Sequence, residues 1–223
     1  MDKIYERSFI IFFIYQMITA RQFIDDMINN TCKTINKIDM NIKIKKDGES
    51  LFPIHYMIKC NRYKFINKYI SQCMNIVDDM GNTILHYITR YIDKAHAIEY
   101  IHMCKSLFKH QNNNGETSLM WSVKYNPPLV KHLLNEMYIT DNNGYSALLY
   151  IYLCKSYLSE DNITSLIRML RDECKLSYSS NVNHDLCIFY SSRGVDINIK
   201  QVVIRGDSVP RKTYTIKHSR PLS

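Results

Sequence analysis

A chain of 223 residues is long enough to bury a core of its own. Lys and Arg number 29 against 21 Asp and Glu, giving a formal charge of +8 that is spread along the chain and favours acidic partners only weakly. The seven Cys are scattered without a C-x-x-C pair, which excludes a regular disulfide framework and points to reduced thiols in a cytosolic or nuclear setting.

Residues 8–20 are almost wholly apolar, with Phe9, Ile10, Ile11, Phe12, Phe13 and Ile14 in sequence. As a helix this run spans roughly 20 Å, short of the ~30 Å hydrocarbon core, so a membrane span is disfavoured. Lys3 and Arg7 precede it as in a signal peptide, but Asp2 and Glu6 cancel them, and Ile18 before Ala20 makes a poor cleavage site. The plainer expectation is a first helix followed by a second over 21–35, where Phe23, Ile24, Met27, Ile28 and Cys32 recur at helical spacing. Residues 1–45 would then cap whatever follows.

Four units come next, at 46–77, 78–111, 112–140 and 141–175. The first opens on Asp47-Gly48 and runs into Pro53-Ile54-His55, with Tyr63, Ile66, Ile70 and Cys73 marking a second helix. The next opens on Gly81-Asn82-Thr83-Ile84-Leu85-His86 and continues through Ile98, Ile101 and Phe108. His96, His102, Cys104 and His110 cluster here, but Cys104 shares an apolar helical face, so a buried thiol beside surface histidines is expected rather than zinc. The third opens on Gly115-Glu116-Thr117-Ser118-Leu119-Met120; Asn126 stands where a left-handed residue would separate two helices, and Pro127-Pro128 would start the second, with Val130, Leu133, Leu134 and Met137 as its stripe. The fourth opens on Gly144-Tyr145-Ser146-Ala147-Leu148-Leu149 and reads as a longer first helix toward Tyr157. Ser159 or Asp161 can then cap a helix bearing Ile163, Leu166, Ile167 and Leu170.

After residue 175 the pattern decays. A remnant over 176–198 retains a possible helix from Leu186 to Tyr190. Residues 199–223 carry Lys200, Arg205, Arg211, Lys212, Lys217 and Arg220 with little periodicity, and read as a flexible basic tail.

The units repeat one another. Gly81 and Gly115 lie 34 residues apart, Gly144 follows 29 later, and His55 precedes His86 by 31, a period that marks stacked helical repeats. Each glycine suits a tight tip with φ > 0, and Thr83, Thr117 and Ser146 stand where a hydroxyl can cap a helix.

These residues resemble the ankyrin repeat, whose pattern D-x-x-G-x-T-P-L-H is matched by Gly81, Thr83, Leu85 and His86, by Gly115, Thr117 and Leu119, and by Gly144, Ser146 and Leu148. The resemblance implies an all-α fold: an ankyrin-repeat solenoid of helix pairs with short β-hairpin-like tips. It further implies that His55 and His86 bridge the Thr position of their own unit to backbone of a neighbour, a structural role. The Ile-, Tyr- and Asn-rich composition and uneven repeat lengths resemble poxvirus ankyrin-repeat proteins, which act as host-range and immune-modulating factors in the host cytoplasm. Many of those end in an F-box-like segment, of which Pro221-Leu222 is the sole trace.

No catalytic motif is visible, and neither an enzyme nor a cofactor is expected. The expected function is a monomeric scaffold that binds a host protein, without nucleic acid or membrane; Tyr87, Trp121 and Tyr145 are the residues put forward for contact, although Trp121, the single Trp, is expected first to pack against a neighbouring repeat. The alternatives are a membrane-associated protein anchored by residues 8–20 and a truncated, non-functional relative.

Overall fold

The computed structural model describes residues 22–26, 29, 39–46, 48–176 and 184–197. They are mostly helical. The expectations for residues 8–20 and 199–223 lie outside the described residues, as does most of the second leading helix, of which residues 22–26 are helical with Phe23 and Ile24 buried. No described helix is long and apolar enough to cross a membrane. The chain divides into two compact units, Met1–Glu136 and Met137–Ser223.

The first unit begins with an antiparallel pair, β1 (Ile44–Lys46) and β2 (Glu49–Leu51), joined through Gly48 at φ 82°. Helix α1 (Pro53–Lys59) follows directly, with Pro53 in the first turn, where no N–H is needed. Asn61, left-handed at φ 54°, then reverses the chain into α2 (Tyr63–Tyr69). The next pair is α3 (Ile84–Tyr91) and α4 (Lys94–Met103), whose N-cap Asp93 accepts the N–H groups of Ala95 and His96. Helix α5 (Ser118–Tyr125) comes last.

Helix α3 packs between α1 and α5, and α4 lies against it as well. Ile84 through Thr89 are all buried in consequence. An isolated eight-residue helix is marginal in water, so burial of Ile84, Leu85 and Ile88, at roughly 2 kcal/mol each, holds this one together.

Two expectations for the segment after α5 need correction. Asn126 has φ −149°, so it is not left-handed, and its Nδ2 donates to Ile92 O at 3.1 Å. Pro127 and Pro128 open a 3₁₀ turn over Pro127–His132 and not a regular helix, with a second 3₁₀ turn at Leu134–Glu136. The buried residues here are Leu129, Val130, Leu133 and Glu136, while Leu134 and Met137 are half-buried. Two prolines in the first turn and six residues before the next break leave no length for an α-helical stripe.

In the second unit, α6 (Ala147–Leu153) is followed by α7 (Glu160–Leu170) and α8 (His184–Ser191). Helix α6 stops at Leu153, so the expected extension toward Tyr157 is a turn, and Tyr157 is exposed. Ser159 caps α7 by accepting from Asn162 N, and Ile163, Leu166, Ile167 and Leu170 are its buried face, as their spacing predicts. Tyr190 on α8 is fully buried, and its hydroxyl donates to Leu148 O.

Candidate functional site

The surface of interest is built from the turn that precedes each first helix. Asp78, Asn112 and Asp141 each stand three residues before a glycine, and each bends the chain in the same manner. Asp78 Oδ1 accepts from Met80 N and Asn82 N at 2.8 Å; Asn112 Oδ1 accepts from Asn114 N at 3.0 Å and Glu116 N at 2.9 Å. Asp141 Oδ1 accepts from Asn143 N at 2.9 Å and Tyr145 N at 2.8 Å. Side-chain oxygens that hold their own downstream amides are what Asp and Asn contribute to turns. The bend delivers Gly81, Gly115 and Gly144 at φ 75°, 78° and 81°, a region open to glycine.

Successive turns in the first unit are tied together. Asn112 Nδ2 donates to Asn82 Oδ1 at 2.8 Å, Asn113 N to Met80 O at 2.8 Å, and Asn113 Nδ2 to Asp79 O at 3.0 Å.

Thr83 and His86 form a capping box at the start of α3. The Thr83 N–H donates to His86 Nδ1 at 3.2 Å, which leaves the proton on Nε2, and Nε2–H donates to Glu116 O at 3.1 Å. The ring therefore joins its own helix start to the next turn. Burial pushes its pKa down to about 4, so it works as the neutral form. At Thr117 the equivalent partner is Met120: the Thr117 N–H meets Met120 Sδ at 3.4 Å, and Thr117 Oγ1 accepts from Met120 N at 3.5 Å.

His55 does not make the expected bridge. Phe52 occupies the Thr position and offers no hydroxyl, and both ring nitrogens of the fully buried His55 are without a hydrogen-bond partner. The ring instead stacks on Tyr87, with centroids 4.4 Å apart.

Two buried carboxylates, absent from the sequence reading, close the other side of the turns. Glu136 accepts from Lys109 N at 3.1 Å and Leu119 N at 2.7 Å, and also bonds Thr117. In the second unit Glu173 accepts from Tyr138 N at 2.9 Å and Leu148 N at 2.7 Å, and also bonds Ser146. Lys109 and Tyr138 are left-handed at φ 68° and 69°, so each Glu holds a strained loop residue and a helix start at once. Burial pushes the Glu136 carboxyl up to about 7 and raises that of Glu173.

Of the residues put forward for partner contact, Tyr87 and Trp121 are buried, at 6% and 7% exposure, and Tyr145 is half-buried. Tyr87 OH donates to Asp78 Oδ2 at 2.9 Å, as Tyr150 OH does to Asp141 Oδ2 at 3.0 Å. Trp121 Nε1 donates to Glu116 Oε2 at 2.9 Å. These rings brace the turns; in the first unit the outer surface beside them is formed by Lys59, Arg90, Tyr91, Lys124 and Tyr125. Arg90 lies over three rings, its guanidinium carbon 4.5 Å from the centroid of Tyr125, 5.0 Å from Tyr91 and 5.7 Å from Trp121. Lys59 Nζ is 5.7 Å from the Tyr91 centroid, and Lys124 Nζ 5.1 Å from that of Tyr125.

Cys104 is buried with its thiol pushed up to about 12, while His96, His102 and His110 are exposed. No group of three metal-type side chains converges among the described residues.

Compared with known proteins, the chain matches no family model and no curated protein.

Proposed function

We propose that this chain is an ankyrin-repeat scaffold for protein–protein interaction, a viral host-range or immune-modulating factor that binds a host protein in the host cytoplasm. The observation that carries the repeat reading is the recurrence of one bonding scheme at three turns. An Asx residue holds two downstream amides, a left-handed glycine follows three residues later, and Thr or Ser precedes a first helix. His86, bonded to Thr83 and to Glu116 O, supports the same reading, since it occupies the bridging position that the family resemblance implies.

In repeat proteins, units that cannot shield their own apolar sides cover one another and present first helices and tips to a partner, an arrangement that suits docking of another protein rather than chemistry on a small molecule. The viral assignment rests on the compositional resemblance.

Capture from host-cell extract, followed by reconstitution with the purified captured protein, tests this reading. A saturable complex of defined stoichiometry is expected. Failure to recover any protein that rebinds in purified form would remove the scaffold function. Changing Tyr87 or Trp121 would confuse the outcome, because both brace the turns from inside; Arg90, Tyr91 and Tyr125 are the appropriate surface positions.

A further inference from the structure

The first helices of the first unit share a feature that the scaffold reading does not require. Seven residues after each N-cap stands a cation: Lys59 after Phe52, Arg90 after Thr83, Lys124 after Thr117. None of α1, α3 or α5 contains an Asp or Glu. Helix α3 packs against both α1 and α5, Lys59 and Arg90 both lie over the Tyr91 ring, and Arg90 and Lys124 both lie over the Tyr125 ring, so the three cations follow one another as neighbours in a row.

Two of the cations also lean the same way, while Lys124 lies over Tyr125 of its own helix. Lys59 reaches over Tyr91 of the next helix, and Arg90 reaches over Tyr125 of the helix after that. Contact with a ring face orders a long side chain without neutralising its charge. A stacked guanidinium keeps its N–H edge available for a carboxylate.

Lys59 pairs with Glu49, an exposed contact of the kind that is worth little and exchanges readily. Among the described residues, Arg90 and Lys124 have no carboxylate partner. Glu116, which Trp121 Nε1 reaches, is also held by Asn112 Nδ2.

Resting on the scaffold reading, we propose that the Lys59–Arg90–Lys124 row docks an acidic segment of the partner protein, held in an extended polyproline II conformation with a carboxylate at every third residue. The spacing argues for that conformation. Packed helices lie about 8–10 Å apart, and a polyproline II chain rises about 3.1 Å per residue with three residues per turn, so residues i, i+3 and i+6 face one side about 9 Å apart. A β-strand would turn every third side chain to the opposite face. Nucleic acid fits less well, because the faces of Tyr91 and Tyr125 that bases would stack on are occupied by Arg90.

Fluorescence anisotropy with the full chain tests the row. The probes are a labelled (Glu-Pro-Pro)₄ peptide, an isomer of the same composition with its four Glu adjacent, and oligo(dT). The spaced peptide is expected to bind, with the adjacent isomer several-fold weaker. R90E/K124E should weaken the spaced peptide by about a hundredfold, a tenfold loss for each charge-assisted contact. K64E/K131E changes net charge equally at exposed lysines off the row and should leave binding within about threefold. Equal losses in the two double variants would reduce the effect to net charge and overturn the proposal. So would equal binding of the two peptides, and so would tighter oligo(dT) binding lost in R90E/K124E, which would assign the row to nucleic acid. If no probe binds while the captured host protein still binds R90E/K124E, the row fails and the scaffold reading stands. Unchanged circular dichroism and urea midpoint confirm that both variants fold.

Discussion

Gly81 and Gly48 are both left-handed, yet they differ in what surrounds them. A Cβ on Gly81 would meet Asn113 Oδ1 at 2.6 Å and Asn113 N at 3.1 Å, whereas one on Gly48 would meet nothing within 4 Å. G48A therefore costs only the backbone penalty, about 1 kcal/mol, while G81A adds disruption of the tie between turns and is expected to cost about 3 kcal/mol. Urea unfolding of the two variants measures the difference. The two buried histidines give a second contrast. H86L removes a ring bonded at both nitrogens and should cost about 2 kcal/mol, whereas H55L removes a ring with no polar partner and should be within about 1 kcal/mol of neutral. Both pKa values fall from 6.5 to about 4 by burial. The unfolded chain then binds protons first, so the two rings cause stability to be lost as pH drops from 6.5 toward 4. Glu136 has the opposite sign: its carboxyl is raised from 4.5 to about 7, so its contribution is fully present below 4.5 and is lost as pH rises to 7. Urea midpoints between pH 4 and 7 should show a shallower acid loss in H55L than in the parent chain.

At the scale of elements, Glu136 joins the 3₁₀ turn Leu134–Glu136 to the start of α5 and to the loop at Lys109. E136A leaves two backbone N–H groups without their acceptor and is expected to destabilise the first unit by about 3 kcal/mol; E173A should do the same in the second unit. An unfolding midpoint within error of the parent chain would refute this role for the carboxylates. The helix starts were legible beforehand because their causes are local: Thr83, Ser159 and the left-handed glycines act within four residues of themselves. The carboxylates were not, since Glu136 acts on residues 27 and 17 positions earlier, and a Glu near the end of a helical segment ordinarily reads as solvated. The path after α5 was misread for a related reason. Asn126 tolerates left-handed backbone, but here its side chain is drawn to Ile92 O, 34 residues earlier.

For the whole molecule, the surroundings of the six described cysteines rank them. Cys73 and Cys104 are buried with thiols pushed up to about 11 and about 12, and Cys154 is buried too, while Cys60, Cys174 and Cys187 are half-buried. Titration with an aromatic disulfide reagent at pH 7.5 should label the half-buried thiols first, with Cys73, Cys104 and Cys154 reacting only at the rate of unfolding. Rapid labelling of Cys104 in the native state would contradict its burial at the C-terminal end of α4.

By itself the sequence determined the glycine turns, the starts of most helices, and that much of each helix face would be apolar, because those properties come from backbone preference and residue spacing over a few positions. It also carried the family resemblance on which the proposed function rests. Only the tertiary structure decided that His86 is bonded on both sides while His55 is not, that Tyr87 points inward, and that Lys59, Arg90 and Lys124 are neighbours over shared rings. Each of those outcomes depends on groups about 30 residues apart being brought within a few ångströms, and packing of α1, α3 and α5 is what brings them together.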